Sequence, residues 1–274
     1  MSVDFAFIDS GTGGLPYMKY LKEKCVDASC IYVADAANFP YGEKTSAQVI
    51  SCAKNFCEKV ISSFEPKVIV IACNTMSVTA LDSLRAAFKI PFIGTVPAIK
   101  LAATITKNKR IGLLATQRSV SSPYTASLIE EFASDCAIFS RADGKLISFI
   151  EHNLTSASRE QKLEACRPAV DFFLENDCDT IILGCTHFIH FADEIKELAD
   201  SATSKAPGST PIQVIDSREG VVRQALKMRG RISGELPSGI ENCTFFTTGY
   251  PPYTTEDDYK KIATSLNLPW GGKI

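Results

Sequence analysis

Lys67–Thr75 reads KVIVIACNT, and Asp179–His187 reads DTIILGCTH. Each stretch is a run of β-branched and aliphatic residues, then one small residue, then a cysteine with a threonine close behind. Runs this short and this uninterrupted are read as strands buried on both faces, as in a parallel sheet covered by helices. The two strands are taken as Val68–Ala72 and Thr180–Gly184. Similar runs recur at Val3–Ile8, Cys30–Ala34, Arg110–Ala115, Ile212–Ile215 and Cys243–Thr247. Helical patterns fall between them at Ser46–Ser63, Thr79–Phe88, Tyr124–Ala133, Lys162–Asn176 and Glu219–Met228. Strands alternating with helices predict an α/β fold with mainly parallel sheets. The echo between the two cysteine-bearing stretches is not a fixed-period repeat, and it predicts two similar α/β units related by duplication.

Composition narrows the class. The chain has 274 residues, 45% hydrophobic and 22% charged, which suits a packed core and argues against disorder. Its net charge of -2 provides no general attraction for nucleic acid. No uncharged apolar run approaches the roughly 18–20 residues that span a bilayer, and Asp4 and Asp9 bracket the apolar N-terminal stretch, so no secretory signal is expected. Ten cysteines in a chain of this length do not read as a disulfide framework. The expectation is a soluble, cytoplasmic, reduced protein. KAPGSTP at 205–211 reads as a linker by its Pro, Gly and Ser content.

In open parallel sheets, ligands bind beyond the carboxyl ends of the strands. Asp9-Ser10-Gly11-Thr12-Gly13-Gly14 follows the first strand. Its glycines permit close backbone approach and positive φ, and amides at a helix start suit a carboxylate or phosphate. The spacing is neither a dinucleotide fingerprint nor a P-loop. Cys73 and Cys185 each stand after a strand and before an expected helix, a setting that favours the thiolate. Cys25, Cys30, Cys52, Cys57, Cys136, Cys166, Cys178 and Cys243 lack such company and read as core residues. Cys185, His187 and His190 lie close together but match no familiar zinc spacing. Beside a reactive thiol, His187 reads better as an acid/base or orienting group.

The segments FIDSGTGGL, NFPYGEKT, IACNT and LGCTHF, with TVPAIK, GLLAT and SPYT, resemble the aspartate/glutamate racemase superfamily, and within it the glutamate racemases. The likeness runs from about Asp4 to Glu219, and the pairing of Cys-Asn-Thr with Cys-Thr-His is its specific part. The resemblance implies two similar α/β domains with the active site in the cleft between them, and neither pyridoxal phosphate nor a metal. It implies a first domain of 1–96 with 210–274, carrying Asp9 and Cys73, and a second of 97–209, carrying Cys185. It further implies that Cys73 and Cys185 are the general acid/base pair, with Asp9 assisting Cys73, and His187 and Glu151 assisting Cys185. Asp9, Ser10, Tyr41, Gly42, Asn74, Thr75, Thr186 and His187 then correspond to positions that hold the amino and carboxylate groups of glutamate. The implied role is supplying D-glutamate for bacterial peptidoglycan, with a homodimer as the frequent assembly and no nucleic-acid or membrane partner.

Inverting an α-carbon takes a proton from one face and returns one to the other, so two opposed groups serve better than one. Three departures from the family pattern stand out: Asp35-Ala36-Ala37 with Asn38, Thr116-Gln117-Arg118-Ser119 without its glycine, and Phe188-Ile189 after Cys-Thr-His. The second puts side-chain carboxylate contacts from Thr116 or Ser119 in question. Aspartate or another amino acid on the same scaffold is the near alternative. A hydrolase with a cysteine nucleophile and His187 as base is the distant one.

Overall fold

The computed structural model describes residues 2–203, 211–229, 243–252 and 254–274. The linker expected at 205–211 lies outside them apart from Pro211. Two compact units emerge, Met1–Thr95 with Arg218–Ile274, and Val96–Ser217. The first begins with β1 (Val3–Asp9), α1 (Leu15–Lys24), β2 (Cys30–Ala34), α2 (Ser46–Phe64), β3 (Pro66–Ile71), α3 (Asn74–Ala87) and β4 (Phe92–Gly94). The second holds α4 (Ile99–Ile105), β5 (Arg110–Ala115), α5 (Gln117–Val120), α6 (Pro123–Phe132) and β6 (Ala137–Ala142). It continues with α7 (Gly144–Asn153), α8 (Arg159–Glu175), β7 (Thr180–Leu183), α9 (Ala192–Thr203) and β8 (Gln213–Ile215). The chain then returns to the first unit with α10 (Arg218–Arg229), β9 (Thr244–Thr247), α11 (Glu256–Ser265) and β10 (Trp270–Lys273).

Every strand pairing among the described residues is parallel, as the unbroken aliphatic runs require. Among the described residues the first sheet runs β10-β9-β2-β1-β3-β4 and the second β6-β5-β7-β8. The order β2-β1-β3-β4 in one is the order β6-β5-β7-β8 in the other. In both units the cysteine-bearing strand is the third in chain order, pairing with the first on one side and the fourth on the other. The echo seen in the sequence is therefore an echo of topology.

In the first sheet, Ala6, Ile8, Ile31, Val33, Ile69 and Ile71 pack against Phe56 and Val60 of α2 and Met76, Ala80 and Leu84 of α3. Tyr32, Phe245, Tyr259 and Trp270 build an aromatic layer of edge-on and tilted pairs with centroids 5.2–6.1 Å apart. In the second, Ile111, Leu113, Ala115 and Ile182 pack with Ile99 and Ala102 of α4. Gly112 lets Phe173 of α8 reach the sheet, since a Cβ there would stand 2.5 Å from its ring.

Boundaries move by one or two residues at several expected elements. The elements absent from the sequence reading have physical causes. β4 is only three residues long, β10 carries two glycines, and β6 is a half-exposed edge strand with Ser140 and Arg141 in it. α3 starts at Asn74, well before the expected Thr79, because Cys73 caps it. Among the described residues no helix is long and apolar enough to cross a membrane.

Candidate active site

In the first unit, Asp9 ends β1 fully buried, and its Oδ1 accepts from the Ser10 amide at 2.6 Å and the Ser10 hydroxyl at 3.3 Å. Cys73 stands beyond β3 next to it, since Ala72 donates its amide to the Ile8 carbonyl at 2.8 Å. The Cys73 sulfur is the N-cap of α3 and accepts from the Met76 amide at 3.4 Å. Such a bond, at the positive end of a helix, strengthens when sulfur carries negative charge. Asn74 and Thr75, in the first turn, are each 2% exposed. Both polar atoms of the Asn74 carboxamide are buried without a hydrogen-bond partner. A buried amide left in that condition is costly unless a ligand satisfies it.

The glycine-rich turn serves packing more than conformational freedom. Gly272 is the only positive-φ glycine among the described residues, so the positive φ expected of the Gly11–Gly14 turn is not adopted. Gly14 instead allows the start of α1 to approach the chain just past β3: a Cβ there would stand 2.6 Å from the Ala72 Cβ. Its amide donates to the Tyr32 hydroxyl at 3.0 Å, and that hydroxyl donates to the Gly11 carbonyl at 2.7 Å. The Gly14 amide is thus engaged within the fold.

Tyr41 is buried in the 3-10 turn Tyr41–Glu43, where Gly42 is half-buried. The Tyr41 hydroxyl donates to Asp35 Oδ2 at 2.6 Å. Burial and the adjacent Asp35 carboxylate hold this phenol far above its usual pKa, so it stays neutral. What this turn can offer a ligand is backbone rather than phenol. Asp35 also accepts from Asn38 Nδ2 at 3.0 Å and from the Thr248 hydroxyl at 2.8 Å. Asp35 and Thr248 were not candidates from the sequence. The signal for Asp35 was its place at the carboxyl end of β2, and Thr248 joins it only through the pairing of β2 with β9.

In the second unit, Cys185, Thr186, His187 and Glu151 are all 5% exposed or less. The Cys185 sulfur lies 3.8 Å from His187 Nδ1, and His187 Nε2 lies 2.9 Å from Glu151 Oε2. Glu151 comes from α7, which packs on the turn after β7. Burial alone would push the imidazole pKa down. Its hydrogen bonds to Cys185 and Glu151, and their negative charge, outweigh burial and raise it well above the ordinary histidine value. The line can therefore hold a proton on the imidazole beside the sulfur. Immediately after Cys185 the chain forms a 3-10 turn, Thr186–Phe191, with α9 beginning only at Ala192, and the sulfur does not cap it. The helix expected at Cys185 is thus replaced by a tighter turn whose phenylalanines, Phe188 and Phe191, are fully buried.

Thr116 and Ser119 occupy each other: Thr116 Oγ1 donates to Ser119 Oγ at 3.0 Å and accepts from the Ser119 amide at 3.1 Å. Among the described residues no cluster of three or more His, Cys, Asp or Glu is arranged to hold a metal. None of the ten cysteines is joined in a disulfide. Cys30, Cys57, Cys166, Cys178 and Cys243 are buried as expected, but Cys25, Cys52 and Cys136 are only half-buried. Cys25 departs most from a core role, accepting from Arg229 at 2.8 Å and donating to Asp27 Oδ1 at 3.0 Å.

A parallel α/β unit with a thiol at the end of its third strand, present twice, defines a class of duplicated α/β proteins with one strand-end cysteine in each unit. Comparison with known proteins makes it specific. The family model for Asp/Glu/hydantoin racemases matches residues 16–225. The glutamate racemase of Treponema pallidum is 38% identical over 98% of this chain and 95% of its own length. That of Proteus mirabilis is 37% identical over 97% of this chain and 87% of its own. Among solved structures, the Escherichia coli glutamate racemase, in complex with L-glutamate, superposes with a TM-score of 0.81 at 28% identity, covering 99% of this chain and 98% of that one. The chain belongs to the Asp/Glu/hydantoin racemase family.

Proposed function

We propose that the chain is a glutamate racemase that interconverts L- and D-glutamate without a cofactor, with Cys73 and Cys185 as its two proton-transfer groups. The observation that carries the reading is one buried, strand-end thiol in each unit at the same topological place, each beside a carboxylate-bearing strand or helix. The glutamate racemases of Treponema pallidum, Proteus mirabilis and Escherichia coli supply the substrate by likeness. In each direction one thiolate removes the α-proton and the other cysteine, as thiol, delivers a proton to the opposite face. The two exchange protonation states over a turnover, so protons balance. Thiols suit both roles because their ordinary pKa lies near working pH.

The developing negative charge at the α-carbon is stabilised by donors around the substrate carboxylate. Asn74, Thr75, Thr186 and the Ser10 region fill this role, and Asn74 is equipped for it by a carboxamide with no internal partner. Asp9 orients the Cys73 side. His187, held by Glu151, does the same for Cys185 and helps return its proton. A homodimer in solution and a cytoplasmic role in supplying D-glutamate for peptidoglycan complete the reading.

Incubation with L-Glu, D-Glu, L-Asp and D-Asp in heavy water tests it directly, reading α-proton exchange and rotation together. Glutamate should exchange and racemise, and aspartate should not. Either Cys73→Ser or Cys185→Ser should lower racemisation in both directions by at least roughly 10²–10⁴-fold, the range for loss of a positioned acid/base group. Near-normal turnover both ways by either variant would end the two-thiol reading. A covalent acyl-enzyme on Cys185 would make the chain a hydrolase instead.

A further inference from the structure

The first turn of α3 carries Asn74 directly after Cys73, and a residue further along α3 ties that turn to the sheet. Asn74 makes no hydrogen bond within the chain through its side chain, and the Cys73 sulfur caps locally, accepting from Met76 three residues on. What fastens the turn is Ser77. Its hydroxyl, 4% exposed, donates to the carbonyl of Ile71, the last residue of β3, at 3.2 Å. The same oxygen accepts from the amide of Thr95, just past β4, at 2.8 Å. The Ser77 amide in turn donates to the Cys73 carbonyl at 2.9 Å. One hydroxyl therefore clamps the chain on both sides of Cys73, before it at Ile71 and after it at Ser77, and anchors the clamp to the neighbouring strand. Gly94 makes this approach possible, since a Cβ there would stand 3.3 Å from both the Ser77 Cβ and Oγ.

We propose that Ser77 is a positioning residue for the racemisation reaction, a hydrogen-bond latch that sets the direction of the Cys73 thiol and presents the Asn74 carboxamide to the substrate. The proposal rests on the reading of Cys73 as a proton-transfer group. Without the hydroxyl, the Thr95 amide is left buried with no acceptor, because Thr95 is fully enclosed. Pairing that amide again requires the turn or the end of β4 to shift. A proton transfer to carbon is sensitive to such shifts, and a displacement of about 1 Å can cost on the order of 10²-fold in rate. Ser77 touches no reacting atom, so its loss acts on turnover through Cys73.

The test compares Ser77→Ala, Ser77→Cys and Ser77→Thr with the unaltered chain, and includes Cys73→Ser as a separate arm. The measurements are kcat and KM in both directions, the pH profile of kcat, melting temperature, and hydrogen exchange at the Thr95 amide. Ser77→Ala should lower kcat about 10-fold or more in both directions, within the loss that misplacement brings, with KM changed far less. It should also move the pH limb of kcat and speed exchange at Thr95. Ser77→Cys, which keeps the size but bonds weakly, should fall between, and Ser77→Thr, which keeps the hydroxyl, should recover most of the rate. Melting losses in Ser77→Ala and Ser77→Cys with kcat and its pH profile unchanged would overturn the proposal, as would failure of Ser77→Thr to recover any rate. An active Cys73→Ser would overturn the two-thiol reading instead. An inactive Cys73→Ser beside a fully active Ser77→Ala would remove the latch alone.

Discussion

The imidazole of His187 sits buried between a thiol and a carboxylate, and that position dictates its charge. Burial works against the protonated form, but the bonds to Cys185 and Glu151 prevail and raise the pKa well above that of a free histidine. A raised folded-state pKa contributes stability that is fully present below the unfolded value of about 6.5 and is lost as pH rises through the folded value. Glu151→Gln removes the charge while keeping the shape. The imidazole pKa should fall, the alkaline limb of kcat should move to lower pH, and the stability advantage at acidic to neutral pH should shrink. Tracking the ring proton resonances through a pH titration, alongside the rate profile, checks this. An unmoved imidazole pKa would mean the carboxylate is not what holds the proton. At this scale residue type alone brought Cys73, Cys185 and His187 forward as candidates, and the structure places the last two 3.8 Å apart. It was silent on Ser77 and Asp35, whose bonds reach Thr95 and Thr248, 18 and 213 residues away. No local pattern announces such bonds.

Between elements, Gly14 at the start of α1 lies close against Ala72, the residue before Cys73. Gly14 caps α1 at φ -81, so the glycine is needed for space and not for a left-handed backbone. Gly14→Ala would drive a methyl to 2.6 Å from the Ala72 Cβ and 2.7 Å from the Ala72 carbonyl oxygen, both rigid parts of the strand end. Overpacking of this kind costs about 1–3 kcal/mol. The strain falls one residue before Cys73, so kcat should drop with stability. Gly144→Ala is the matched control, since nothing lies within 4 Å of a Cβ there and Gly144 opens α7. That change should be neutral or stabilise by up to about 1 kcal/mol, the helical preference of alanine over glycine. Urea unfolding and turnover of both variants provide the comparison, and equal behaviour of the two would refute the packing account. Strand β2 and the buried stretch of β5 after Arg110 were legible because burial on both faces leaves apolar residues there. α1 was not, because its sequence LPYMKYLKEK buries only Leu15, Tyr17, Met18 and Leu21 and carries a proline in its first turn.

At the scale of the whole chain, the doubled order of strands explains why one sequence echo was enough to predict two units. Each unit needs the same strand, the same small residue at its end (Ala72 or Gly184) and the same cysteine. The echo could not show how the first unit is completed, because α10, β9, α11 and β10 return to it from 122 residues further on. α10 packs on α1, β3 and β4, and its last residue, Arg229, reaches the amino end of β1. There it lies 3.3 Å from Asp4 and 3.0 Å from Asp27. Asp4 is 1% exposed and also holds Lys67 at 3.3 Å and the Ser29 amide at 3.1 Å. A buried carboxylate that loses one of two cations keeps its desolvation penalty with less to offset it. Lys67 and Ser29 remain, so the loss on Arg229→Ala should be about 1–3 kcal/mol, below the full cost of orphaning a buried charge. The Asp4–Arg229 tie joins the returning segment to the opening strand at the end of the sheet away from Cys73. The variant should therefore unfold at lower urea with kcat of the folded protein unchanged. A selective fall in kcat at unchanged stability would show that this tie belongs to the reaction and not to the closure of the fold.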